Sequence, residues 1–311
     1  MVTARVVRVL NGRWPLALLL VSAAGCQAPV LTMDDAVVMR GAKTRLAACV
    51  EQQPILWLSK DVEDTPVRFY VDDQPVGEAK TNGDGVAAIE RKLDPSLKRY
   101  EARVFAGFQE LQGAGRVFVW DRERVILAVD IDHTIAQTEY KGLLAKNGED
   151  DSDAVKNSVP ALNTLARDFN IVYVTSRPRL LIDKTRAWLA EKGSPAGPVI
   201  TSVRIRDLIR PEGFKAETLH ALRKDWPTLL IGIGNRPSDA DAYGENDMLA
   251  LVLPTKAGGD FGPHTIVLRD WKKLSRFFEA NRETLTSAAA LKEVLEGDRL
   301  LARPVTPYRK H

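Results

Sequence analysis

Apolar and polar positions alternate in two different ways along this chain, and the change falls near Arg122. Upstream, the segments 67–71, 100–105 and 116–120 place apolar side chains at about every second position, the period of a half-buried strand. Between them, Asp72-Asp73-Gln74-Pro75 and Asn82-Gly83-Asp84-Gly85 are turn signals. Short strands closed by such turns predict a small β-sandwich over residues 44–120.

Downstream, the apolar runs 125–129, 171–174, 199–200, 229–233 and 250–253 alternate with helical stretches. That rhythm predicts an α/β region over 121–280, a parallel sheet with helices on both faces. Leu291, Val294 and Leu295 at helical spacing predict a C-terminal helix and tail over 281–311. Ligands of such sheets bind beyond the carboxyl ends of the strands, where this chain has Asp130, Thr175 and Asn235.

Composition adds two domains' worth of core: 311 residues, 45% hydrophobic and 27% charged. The formal charge of +3 is spread over mixed signs, without the one-sided basic stripe of a nucleic-acid binder, so no nucleic-acid partner is expected. Arg5, Arg8 and Arg13 precede the apolar run Trp14 to Ala24, the layout of a signal peptide over 1–26 and too short to span a bilayer comfortably. Val21 to Cys26 resembles a bacterial lipoprotein cleavage site, in which Cys26 would carry the lipid; ordinary cleavage nearby is the alternative. Gln27 resembles outer-membrane sorting. The expected location is therefore the cell envelope, anchored to a bacterial outer membrane and facing the periplasm. Cys49, the only other cysteine, reads as a small buried apolar residue. The 44–120 region resembles bacterial immunoglobulin-like (Ig-like) modules and is expected to be a spacer or docking unit of unknown partner, with no chemistry.

The chemistry gathers at the predicted strand ends. Asp130 and Asp132, one residue apart after an apolar strand, put two carboxylates on the same side of the pleat. They repel, and a Mg²⁺ ion is a common way to keep both ionised. One can then attack phosphorus while its neighbour protonates the leaving oxygen and later activates water. An acidic turn after a strand is the competing reading, and the later segments decide between them. Thr175 and Ser176 offer hydroxyls for phosphoryl oxygens. Lys215, in Pro211-Glu212-Gly213-Phe214-Lys215, offers a positive charge. Asn235 and Asp239, in Gly234-Asn235-Arg236-Pro237-Ser238-Asp239, offer oxygen ligands for a hard cation.

In that order these residues resemble the motifs of the haloacid dehalogenase (HAD) superfamily of phosphatases: Asp-x-Asp-x-Thr, a Thr or Ser, a Lys, and a final acidic metal motif. The resemblance implies a HAD-type Rossmann-like sheet and a Mg²⁺-dependent phosphomonoesterase working through an aspartyl phosphate. Asp130 would be the nucleophile, Asp132 the acid and base, Thr175 the phosphate-binding hydroxyl and Lys215 the charge balancer. Thr134, Ser176, Arg177 and Arg236 would contact substrate. Asp130 and Asp132 would hold the metal with Asn235 directly or Asp239 through water. Gly197-Pro198-Val199, Pro211 to Lys215 and Gly234-Asn235-Arg236-Pro237-Ser238-Asp239 followed by Ala242-Tyr243 resemble the catalytic domain of lipin-type phosphatidate phosphatases over Val125 to Val252. His133 stands where lipins usually have glycine. The implied substrate is a phospholipid, phosphatidate first, at a membrane surface.

Two other functions fit the same residues: a phosphatase for exported nucleotides, sugar phosphates or phosphoproteins, and a phosphatidate-binding module without turnover. The acidic stretch Glu149 to Asp153 reads as an exposed flap or helix cap. Arg179 reads as a third arginine near the phosphate, while Arg204, Arg206 and Arg210 read as a solvated face.

Overall fold

The structure is a computed structural model. It describes residues 29–297 apart from 40–41, 56–57, 107–108, 139–149, 203–210, 255–260 and 262–264, together with 301–302. The expected leader over 1–26, with Cys26, and Arg204, Arg206 and Arg210 lie outside the described residues. No helix among the described residues is long and apolar enough to cross a membrane.

The N-terminal part is all β: β1 (Pro29–Met33), β2 (Ala36–Met39), β3 (Thr44–Ile55), β4 (Leu58–Asp61), β5 (Pro66–Val71), β6 (Gln74–Lys80), β7 (Val86–Arg91), β8 (Arg99–Ala106) and β9 (Gln109–Trp120). One sheet gathers β1, β4 and β7 around β3, and the other runs β2-β9-β8-β5-β6. Alternate residues face inward, and Leu46, Ala48 and Val50 of β3 meet Val67, Phe69 and Val104 in one buried cluster. Asp72 and Asp73, with φ of 48° and 60°, give the β5–β6 hairpin the left-handed pair that matches strand twist. The β region reaches back to Pro29, upstream of the expected start at 44. β1 and β2 are short and lack strict alternation, which hid them.

The second part follows without a linker: β10 (Ile126–Val129), α1 (Ser158–Leu165), β11 (Asn170–Pro178), α2 (Ile182–Glu191), β12 (Val199–Ser202), α3 (Pro211–Asp225), β13 (Leu229–Gly234), α4 (Pro237–Gly244), β14 (Leu249–Val252), β15 (Thr265–Val267), α5 (Trp271–Ala280), α6 (Arg282–Thr286) and α7 (Ala288–Glu296). The sheet is parallel throughout, in the order β12-β11-β10-β13-β14-β15. Its inner strands are apolar on both faces because both are covered. Leu127 and Val129 of β10 enter the cluster beneath α1, α2, α5, α6 and α7, while Ile126 and Ala128 enter the one beneath α3 and α4. Leu285 and Leu291 lie in the first cluster, so the C-terminal helices belong to this core.

The two parts are fastened at the β1–β2 turn. Asp35, with a fully buried side chain, accepts Arg116 Nε at 2.9 Å, Arg116 Nη2 at 2.6 Å, Arg186 Nη2 at 2.8 Å and the Val199 N–H at 2.8 Å. Asp34 accepts Arg179 and Arg45. Arg179, expected near the phosphate, is instead a buried tie to the β region.

Candidate active site

From β10 the chain builds outward through β11 and β12, then crosses to β13 on the other side of β10. This switch opens a crevice between the carboxyl ends of β10 and β13. Asp130 follows β10, with its N–H bonded to Ile233 O at 2.9 Å, and Asn235 follows β13. Sheet topology therefore brings together residues more than a hundred positions apart.

Lys215, on the first turns of α3, donates to Asp130 Oδ1 at 2.6 Å and Asp239 Oδ1 at 2.5 Å. Asp239 Oδ2 accepts the N–H groups of Asn235 and Arg236, both at 2.9 Å, which ties off the start of α4. Gly234 permits this approach, since a Cβ there would stand 2.5 Å from the Asp239 Cβ. Gly232 likewise lies against the Tyr243 ring, whose hydroxyl donates to Ile233 O at 3.0 Å. Thr134 Oγ1 donates to Asp130 Oδ2 at 2.7 Å and stands 3.3 Å from Asn235 Oδ1.

Asp132 anchors a second network. It accepts Arg177 Nε at 3.0 Å, Arg177 Nη2 at 2.9 Å, Thr138 Oγ1 at 2.6 Å and Thr175 Oγ1 at 3.1 Å. Arg177 Nη1 continues to Asp150 at 2.8 Å and Thr185 at 3.2 Å. Thr175 and Arg177, two residues apart on β11, lie on one side of the strand, and both reach Asp132.

The two aspartates differ electrostatically. Burial pushes the Asp130 carboxyl up to about 6, helped by the Asp239 and Asp132 charges and opposed by Lys215. Burial acts the same way on Asp132, but Arg177 and the hydroxyls of Thr138 and Thr175 outweigh it and hold the carboxyl below its ordinary value. Burial alone would lower the Lys215 ammonium; Asp130 and Asp239 outweigh it and keep the charge on.

Among the described residues, no group of three or more His, Cys, Asp or Glu is arranged around a metal position. The donor chemistry still fits a hard cation. Asp130, Asp132, Asp150 and Asp239 face two cations, Lys215 and Arg177, and the excess negative charge is part of what raises the Asp130 carboxyl. Asn235 Oδ1 and Asp130 Oδ2 meet at one hydroxyl, as two oxygen ligands of one ion would. Asp239 fits less well, with both oxygens already engaged.

The expected substrate contacts divide. Arg177 is buried with its N–H groups on Asp132, Asp150, Thr138 and Thr185, so it positions carboxylates and is not a free phosphate grip. The Thr134 hydroxyl is committed to Asp130. Ser176 Oγ is buried without a hydrogen-bond partner. Arg236 is exposed just before α4. Asp150, read as part of an exposed flap, is buried against Arg177. It was missed because an acidic run looks like surface, and Thr138 carried no sequence signal.

Residues 100–250 match the family model of LNS2 (Lipin/Ned1/Smp2), a HAD-like domain. That match begins in β8, upstream of the expected Val125. The human and mouse proteins named phosphatidate phosphatase LPIN2 are 28% and 27% identical over 163 residues, which covers 45% of this chain. The matched part spans only 18% of either lipin's length. Among solved structures, a Bacteroides vulgatus protein described as a beta-phosphoglucomutase is 13% identical with a TM-score of 0.36, covering 54% of this chain and 90% of that one. The M1 domain from titin is 18% identical with a TM-score of 0.23, covering 30% of this chain and 94% of that one.

Proposed function

We propose that this chain is a Mg²⁺-dependent phosphomonoesterase acting on a lipid phosphate, with phosphatidate the first candidate and Asp130 the nucleophile. The observation that carries the reading is the Asp130–Lys215–Asp239 triad at the crevice, with Asp132 held beside it. Similarity to lipins supports the substrate class.

An oxygen of Asp130 attacks phosphorus, and the bond from phosphorus to the ester oxygen breaks. Asp132 delivers a proton to that oxygen. Arg177 opposes protonation of Asp132, and an incoming phosphate dianion counters it by repelling the carboxylate charge. In the second half Asp132 takes a proton from water as the water oxygen attacks phosphorus, releasing inorganic phosphate and restoring Asp130. Lys215 offsets the charge on Asp130, Thr175 becomes the phosphate-binding hydroxyl when substrate displaces its bond to Asp132, and Arg236 is the arginine left to grip the phosphoryl group. Mg²⁺ held by Asp130, Asn235 and the Asp132 carbonyl would supply Lewis-acid stabilisation of the phosphoryl charge.

The proposal extends to the chain's organisation: a leader over 1–26, an Ig-like β module, a HAD-type phosphatase region over 121–280 and a C-terminal segment over 281–311. Lipidation at Cys26 would hold the site near a membrane surface in the envelope and raise the effective concentration of lipid substrate.

The test is phosphate release, with and without Mg²⁺, from phosphatidate in detergent micelles and from p-nitrophenyl phosphate, with Asp130→Asn as control. Preference for phosphatidate that disappears in the variant is expected. Turnover of the aryl phosphate alone would remove the lipid substrate, and undiminished activity in Asp130→Asn would remove the mechanism.

A further inference from the structure

The chemistry above leaves a second concavity unused. A cleft of about 720 Å³ begins at His133, the residue after Asp132, and extends past Lys156 and the end of β14 to the first turn of α5. Its floor is apolar, including Leu253 and Trp271, both buried. Its rim carries the exposed side chains of Lys156, Arg269 and Lys272.

Those cations differ from many others on the molecule. Lys80 pairs with Asp64, Arg68 with Glu78 and Arg282 with Asp168. Among the described residues, none of Lys156, Arg269 and Lys272 has a side-chain ion pair or hydrogen bond. The one carboxylate lining the cleft, Asp270, is turned to capping: it accepts the Lys273 N–H at 2.9 Å at the start of α5. The amino end of that ten-residue helix adds positive potential to the same wall.

The wall nearest the nucleophile is also conformationally costly. His133 and Asn157, both lining the cleft, have φ of 62° and 66°, in the left-handed region that disfavours side chains. The His133 turn is held by its N–H bond to Ala136 O at 2.7 Å and by Trp271 Nε1, which donates to Thr134 O at 3.0 Å. Trp271 thus joins the apolar floor of the cleft to the loop that carries Asp132.

A neutral leaving group such as diacylglycerol would leave the three cations without partners. The cleft is large enough for a glycerol- or sugar-sized stem and a further anionic group. Resting on the phosphomonoesterase reading, we infer that this cleft receives the substrate's leaving group and favours one that carries a second phosphate or phosphodiester anion. The apolar floor takes the stem, and Lys156, Arg269 and Lys272 take the charge. Phosphatidate is then turned over without that added grip.

The experiment compares dihexanoyl phosphatidate with dihexanoyl phosphatidylglycerol phosphate, each below its micellar concentration, using the Mg²⁺-loaded protein and p-nitrophenyl phosphate as reference. The wild type should favour the phosphodiester-bearing substrate by about tenfold in kcat/KM, mainly through KM, as several exposed charge contacts together can provide. Combining Lys156→Glu, Arg269→Glu and Lys272→Glu should abolish that ratio. Absence of the ratio in the wild type overturns the inference, as does a variant that slows both lipids equally. A preference that emerges only when anionic vesicles are added also overturns it, because the cations then serve a membrane surface. If even the aryl phosphate is not hydrolysed, the phosphomonoesterase reading fails by itself. Calorimetric binding of the same two lipids then decides what survives: equal affinities overturn the inference outright, and tighter binding of the phosphodiester-bearing lipid sustains the cleft's grip on the second anion while its role toward a leaving group falls with the reading.

Discussion

Asp35 offers the sharpest test of how the β region and the parallel sheet are joined. Its carboxylate has no exposure and accepts four hydrogen bonds, two from Arg116 and one each from Arg186 and the Val199 N–H. In Asp35→Ala, Arg116 can turn to water because its side chain is 39% exposed. Arg186, at 10% exposure, stays buried and retains Asp183 as a partner, which is itself 80% exposed. Removing one partner of a buried pair typically costs about 3–5 kcal/mol, and a buried N–H left unpaired costs about 1–3 kcal/mol. Water entering the gap and the surviving Asp183 contact reduce the sum, leaving about 4 kcal/mol. Spread over 311 residues at about 2.1 cal/mol/K of unfolding entropy each, that corresponds to a fall in Tm of roughly 6 °C. Differential scanning calorimetry of the two proteins at one scan rate measures it, with Asp35→Asn expected to fall between them. A shift below about 2 °C for Asp35→Ala would refute the reasoning, since the clamp would then be solvated or absent in solution.

Three further outcomes are expected. Lys215→Met should lower kcat by about 10³, the usual scale for losing a preorganised electrostatic group; a loss under tenfold in phosphate-release assays would contradict its role. Arg177→Lys keeps the charge but not the fork that reaches Asp132 and Asp150 together, so kcat should fall about 10- to 100-fold with little change in KM. Because the Asp130 carboxyl is raised from 3.8 to about 6, its contribution to stability is fully present below pH 3.8 and is lost as pH rises through about 6. Mg²⁺ competes with that proton, so the rise in Tm that it produces should be larger at pH 7.5 than at pH 5, and an equal rise at both would count against Asp130 as a ligand.

The parallel sheet was legible because buried strands announce themselves as uninterrupted apolar runs. β10, β11, β13 and β14 all fall on such runs, whereas three-residue β15 and the short β1 and β2 carry no comparable pattern. The residues at the crevice were legible for a related reason: a strand end followed by Asp130, Asn235 or the Lys215 helix places the residue by topology alone. Their individual partners were not. Whether an arginine meets substrate or braces a carboxylate depends on three-dimensional neighbours, and Arg177 is buried between Asp132 and Asp150 from two distant segments. The Asp34–Asp35 clamp was hidden for the same reason, since its partners lie on β9, α2, β12 and the segment between β11 and α2.

The central claim is that Asp130 becomes phosphorylated. The most direct measurement is to acid-quench the protein during turnover of p-nitrophenyl phosphate with Mg²⁺, reduce it with borohydride and locate the product by peptide mass spectrometry. An acyl phosphate at Asp130 would be reduced to homoserine at that position alone, and the account predicts this modification in the wild type and none in Asp130→Asn. Turnover with unmodified Asp130, or with homoserine at another aspartate, would contradict it.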